Sequence, residues 1–202
     1  MGVVRDLLQE LNDRWAEQSA PIARYLLPGA TEQELDEAEK QLGFPLSAEV
    51  RDWYGWHNGY DLVPGLAPQW PSRKLPGSLK EAVRDHHASR AQAREFAEEA
   101  GGVAEWNFGA TWVALTRPGK QMVVADNDRA GQDSLAPSAL RLIIFDEPEK
   151  WNPPRLPSLM SLLEAWLTLT QQGTLRFNPT VGDWEEDWSA VPQHLRVRGL
   201  IL

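Results

Sequence analysis

The sequence predicts an α+β fold, a single domain in which an antiparallel sheet is packed by helices. Three observations predict it. Apolar residues at helical spacing fill the first half, where two segments open on capping boxes. β-rich runs joined by a Pro-Gly turn follow, and one more helical pattern comes after them. With 202 residues, 42% hydrophobic and 24% charged, the chain has the profile of an ordinary globular protein that can bury a core without cross-links.

Val4, Leu7, Leu8, Leu11 and Trp15 follow i, i+3, i+4, i+7 spacing and predict a first helix, with Arg5, Asp6, Glu10 and Asp13 on its other side. Pro21 and Pro28 break the pattern. Thr31 and Glu34 then form a capping box opening a helix with Leu35, Ala38 and Leu42 inward, which stops at Gly43. Ser47 starts the next helix, with Val50, Trp53, Tyr54 and His57 along one stripe and Asn58 and Gly59 closing it. Residues 62–77 hold four prolines and two glycines around Trp70 and predict irregular structure.

Ser78 and Glu81 form the second capping box, at the head of a long polar helix ended by Gly101 and Gly102. Strands are expected over 111–116, 121–126 and 140–145, the first two joined by a hairpin turn at 117–120. Pro157 and Ser158 open a helix with Leu159, Leu162, Leu163, Trp166 and Leu167 on its apolar face, closed by Gly173. Asp183–Trp188 reads as a loosely held acidic segment, and Leu195–Leu202 as a final strand.

Composition excludes several functions. There is no cysteine, so disulfides, thiolate zinc sites and a cysteine nucleophile are absent, which fits a reducing cytoplasm. Acids interrupt the apolar residues near Met1, and no apolar run approaches membrane-spanning length, so a cytoplasmic protein without membrane attachment is expected. A net charge of −9 argues against nucleic acid and suits a basic protein partner.

Catalytic motifs are lacking. His86 and His87 are neighbours on a helix and point about 100° apart, with no third ligand at metal-site spacing. His57, at a helix end, reads as a partner for the last carbonyls rather than a general base. Asp126, Asp128 and Asp133 share a loop but lack the glycine and glutamate of a calcium-binding EF-hand. No phosphate-cradling loop, dinucleotide fingerprint or nucleophile elbow is present. The expectation is a non-enzyme with no metal and no cofactor; a metal-dependent enzyme using His57, His86 or His87 is the weaker alternative.

Ten tryptophans are a large store of anchoring surface. Trp70, Trp106, Trp151, Trp184 and Trp188 sit among prolines, glycines or acids and are the surface candidates. Together with Asp126, Asp128, Asp183, Glu185, Glu186 and Asp187 they make up the expected partner-binding set, combining charge for steering with aromatic anchors.

The wording of the chain is more specific than its pattern. The stretch Ala30–Gly59 has an acidic helix, Leu42-Gly43, Phe44-Pro45-Leu46, and an aromatic helix ending in Asn58-Gly59; it resembles the opening motif of the SUKH superfamily. Thr111–Asp126 resembles that family's tryptophan-containing strand and its hairpin ending on an aspartate, and Leu156–Trp166 its closing helix. Departures are the Gly43-Phe-Pro-Leu order, the missing proline after Asp126, and Ala136–Leu140 in place of a Gly-rich stretch. The resemblance spans residues 28–180, leaving 1–27 as an N-terminal helical extension and 181–202 as an acidic C-terminal segment.

The resemblance implies a non-catalytic protein-binding module. Bacterial members are often immunity proteins that neutralise a toxin, frequently a nuclease or deaminase. Fungal members regulate cell-wall synthesis through protein contacts. The first implies that acidic and aromatic side chains occlude a basic toxin domain; the second needs no toxin.

Overall fold

Helix α1 (Val3–Glu17) buries Val4, Leu8, Leu11 and Trp15, the stripe its spacing predicts. The computed structural model describes residues 2–61, 70–71, 75–104, 108–119, 121–144 and 155–196. Helix α2 (Glu32–Leu42) opens on its capping box: the Thr31 hydroxyl accepts the Glu34 N–H at 3.2 Å, and the Glu34 carboxylate accepts the Thr31 N–H at 2.8 Å. It ends where Gly43 takes φ +82°, a left-handed conformation that favours glycine. Helix α3 (Ala48–Trp56) is capped by Ser47, and helix α4 (Leu79–Ala100) by the Ser78–Glu81 box. Helix α5 (Leu159–Gln171) is capped by Ser158.

Strands β1 (Leu26–Pro28) and β2 (His57–Tyr60) pair antiparallel. Strands β3 (Trp112–Ala114), β4 (Gln121–Asp126) and β5 (Ala139–Ile144) form a three-stranded antiparallel sheet with β4 central. Val113 faces Ala125 and Val124 faces Arg141 across it. Both faces of β4 are covered, which buries Met122, Val123, Val124 and Ala125 together and explains an apolar run without alternation. Strands β6 (Leu175–Asn178) and β7 (Asp183–Glu186) make a separate hairpin. The fold class is therefore α+β, with helices packed around small antiparallel sheets.

Helix α1 packs on α5 and α3, while α4 packs on β3 and α2. The centre is a tryptophan cluster. The Trp15 ring lies 5.6 Å from Trp70, 6.2 Å from Trp166 and 5.5 Å from Trp184, each pair edge to face. Its indole N–H donates to the Thr170 hydroxyl at 3.3 Å. Residues 1–27 and 181–202, set apart by sequence, thus contribute Trp15 and Trp184 to the same core as the rest of the chain.

Three expectations need correction. Asp183–Trp188 is not a loose segment: its first four residues are β7, held because Trp184 packs on Phe177 and Trp15. His57 does not continue the α3 stripe; its backbone turns to φ −152° and starts β2. Leu195 lies in a 3-10 turn, Gln193–Leu195, that Arg196 closes, rather than in a strand, and positions 197–202 of that expected strand lie outside the described residues.

A buried polar brace joins α3 to the sheet. Asn127 accepts the Ser47 N–H at 2.8 Å and donates its amide to the Thr111 and Ala125 carbonyls at 3.3 and 3.2 Å. Glu49 accepts the N–H groups of Ser138 and Leu159, both at 3.1 Å, fastening α3 to β5 and to the head of α5. Asn127 is 2% exposed, so Asn127→Asp would set a carboxylate against two carbonyls without water. The expected cost is about 1–3 kcal/mol, read from the urea midpoint.

Candidate protein-docking surface

The structure separates the tryptophans and acids that the sequence groups. Trp70 and Trp184 are 1% and 3% exposed, which corrects their placement on the surface. Trp70 sits among prolines, yet its indole packs between Trp15, Trp53, Trp166 and His57, and tertiary packing overrides its local context. Trp106 and Trp151 lie outside the described residues. Asp126 is half-buried and committed internally: it pairs with Arg141 at 3.0 Å and accepts the Thr111 hydroxyl at 3.1 Å, while Arg141 also lies 4.6 Å over the Trp112 ring. Asp128 is exposed in the following turn.

The β6–β7 hairpin brings Asp183, Glu185, Glu186, Asp187 and Trp188 together. Glu185 accepts from Asn178 at 2.6 Å and from Arg176 at 2.8 Å, and both bonds hold its carboxyl below the usual range. Asp187 accepts the Ser189 hydroxyl at 2.6 Å and the Ser189 N–H at 3.0 Å, with the same result. Trp188 is 38% exposed beside them. A carboxylate rim with one accessible indole is therefore present here.

Sequence reasoning missed a second feature, a groove of 540 Å³ between α2 and α4. Its floor is Ala38, Leu79 and Val83, and Glu34, Glu37 and Gln41 form the α2 wall, with Asn58 and Lys80 opposite. Two local devices bring the walls together. The Asn58 side-chain oxygen Oδ1 accepts the Leu79 N–H at 2.7 Å, tying the head of α4 to β2. Gly59 takes φ +99° there, and a Cβ on it would lie 3.0 Å from the Ser78 nitrogen, so both conformation and space call for glycine.

Helix α2 sorts its carboxylates by face. Glu32, Asp36 and Glu39 turn toward α3, where Arg51 donates to them at 2.7, 3.0 and 2.7 Å. Glu34 and Glu37 turn toward the groove. Hydrogen bonds from the Thr31 N–H and hydroxyl hold the Glu34 carboxyl below the usual range, so it is ionised at neutral pH. The spacing of 34, 37 and 41 against 32, 36 and 39 was the available signal, since each set marks one face of a helix.

The histidines do not converge. His86 is buried and its Nδ1 donates to the Trp112 carbonyl at 2.8 Å, whereas His87 is exposed. His57 meets α3 only through its backbone N–H, which donates to the Trp53 carbonyl. Its ring makes no such bond, contrary to its sequence reading, but packs against Trp53, Trp56 and Trp70, and neither ring nitrogen has a partner among the described residues. Among the described residues, no three histidines or carboxylates gather as metal ligands, and no helix is long and apolar enough to cross a membrane.

Capped helices packed around small antiparallel sheets, with the aromatic helix ending on Asn58 and Gly59, define an α+β module of the SUKH type. A family model described as the SMI1/KNR4 family (SUKH-1) matches residues 29–134, and the chain belongs to this family. The matched stretch contains both walls of the α2–α4 groove, whereas the β6–β7 hairpin follows it. A comparison with curated proteins finds no match.

Proposed function

We propose that this chain is a non-catalytic, cytoplasmic immunity module that neutralises a basic toxin domain, of nuclease or deaminase type, by covering it. The observation that carries the reading is an acidic groove with an apolar floor inside the part of the chain that matches the family model. A toxin that binds nucleic acid presents cationic side chains at its substrate face, and carboxylates on a preformed wall complement them. Asp128 and the residues Asp183, Glu186, Asp187 and Trp188 at the β6–β7 hairpin are further accessible acids and an accessible indole, Trp188 acting as the anchor. Residues 28–180 carry the acidic groove, the end of the β6–β7 hairpin adds the Trp188 anchor, and Trp15 and Trp184 tie the flanking segments into the core.

The test is co-expression with the product of the adjacent gene. Growth arrest by that product alone, and its relief by this chain, are expected; a harmless neighbour, or arrest that persists, overturns the reading. Trp188→Ala should cost about 1–2 kcal/mol of folding stability, because the side chain is only partly covered, and should weaken relief of growth arrest in a chain that still folds. The family's description after SMI1/KNR4 favours a second reading, a regulator of cell-wall synthesis acting through protein contacts. In that case loss of the gene alters wall integrity in a strain with no toxin.

A further inference from the structure

The α2–α4 groove has an inventory that narrows what it can hold. One oxygen of Glu34 is occupied by the Thr31 N–H and hydroxyl, at 2.8 and 2.9 Å, and the other has no partner among the described residues. One oxygen of Glu37 accepts from the Gln41 amide at 3.2 Å; the other is only 3.8 Å from Lys40, whose ammonium is largely in solvent. The Gln41 carbonyl oxygen has no partner among the described residues. Unused acceptors therefore line the α2 wall above a floor of Ala38, Leu79 and Val83.

Across the groove Lys80 is the single cationic side chain in the lining, against two carboxylates. The lining is thus net negative, with acceptors over a narrow apolar strip. Arginine matches this arrangement better than lysine. Its three-carbon stem covers apolar surface, and its planar guanidinium presents five donors in a fixed fork to carboxylates and carbonyls.

We infer that the α2–α4 groove is an arginine-capture site, in which one arginine of the partner lays its stem along Ala38, Leu79 and Val83 and sets its guanidinium against Glu34 and Glu37. The inference rests on the proposed binding role and names the chemistry of its contact. Lys80 opposes the guanidinium from the far wall and sets the affinity below what the two carboxylates alone would give.

The probe is a blocked pentapeptide, acetyl-Gly-Leu-Arg-Leu-Gly-amide, titrated into the full chain and followed by amide NMR shifts, with a citrulline counterpart as the uncharged control. Expected are shifts centred on residues 33–41, 58 and 79–83, absent with citrulline. Glu37→Gln should weaken the dissociation constant about threefold, and Lys80→Glu should tighten it by about the same factor. Both side chains lie on the surface, and an unchanged far-ultraviolet CD spectrum shows that each variant folds. Shifts centred on 183–188, equal response to citrulline, or no change in affinity with Lys80→Glu overturns the site. If the adjacent-gene toxin binds and Glu37→Gln leaves that complex unaltered, the groove assignment fails while the immunity reading stands. If the peptide binds the groove but no toxin is neutralised, the immunity reading fails alone.

Discussion

Trp15→Ala is expected to cost about 3–5 kcal/mol of folding stability, lowering the melting temperature by roughly 6–20 °C. Trp15 is 0% exposed and joins four parts of the chain: its own helix, Trp70, Trp166 and Thr170 of α5, and Trp184 of β7. Removing the indole opens a cavity the size of a large side chain and dissolves three edge-to-face pairs, each worth about 0.5–1.5 kcal/mol beyond its burial. It also leaves the buried Thr170 hydroxyl without its donor. Trp15→Phe keeps part of the packing and loses only the N–H and one ring, so it should cost less than half as much. Urea unfolding followed by CD separates the outcomes. A midpoint shift worth less than about 0.5 kcal/mol would make α1 an appendage, as the sequence reading has it, instead of part of the core.

His57 is expected to make the fold acid-sensitive between pH 6.5 and 4.5. The ring is 2% exposed among three indoles, and burial alone pushes its pKa down from 6.5 to about 3. In the unfolded chain the imidazole takes up a proton below pH 6.5; in the folded chain it does not until about pH 3. The stabilisation is therefore fully present above pH 6.5 and is lost as pH falls through this window, at about 1.4 kcal/mol per pH unit, reaching about 2–3 kcal/mol at pH 4.5. The carboxyls held low, Glu34, Glu81, Glu185 and Asp187, act in the same direction but only at lower pH, below the ordinary carboxylate value, whereas Glu49 and Asp52, raised by burial, act in the opposite direction. His86, whose pKa burial also lowers, adds a smaller contribution in the same window. Subtracting the curve for His57→Phe, which keeps an aromatic ring in the box, isolates His57. If the two stability curves run parallel from pH 7 to 4.5, the ring is not buried as described.

What the sequence made legible follows from the range of each signal. Both capping boxes are complete within four residues, Thr31–Glu34 and Ser78–Glu81, and both form as read. The β4 run and its neighbours carried strand signals that did not depend on distant partners. By contrast β1 is three residues ending in Pro28, and it becomes a strand only because Leu26 meets Tyr60, from which helices α2 and α3 separate it in sequence. Trp70 and Trp184 misled for one reason: proline and acidic neighbours describe the backbone's setting, whereas the side chain follows the pocket that Trp15 and its partners provide. The groove was invisible because its walls come from α2 and α4, and only the 34, 37, 41 spacing hinted at a second carboxylate face, turned away from the Arg51 that gathers Glu32, Asp36 and Glu39.

The central claim is that an acidic surface on this module binds a basic protein domain. Its most direct test is a calorimetric titration of the full chain with a catalytically inactivated form of the adjacent-gene product, at low and at raised salt. The account predicts a one-to-one complex whose affinity falls as salt rises and falls further with Glu37→Gln and Trp188→Ala together. No heat of binding at either salt concentration, or an affinity indifferent to both salt and the paired substitutions, would contradict it.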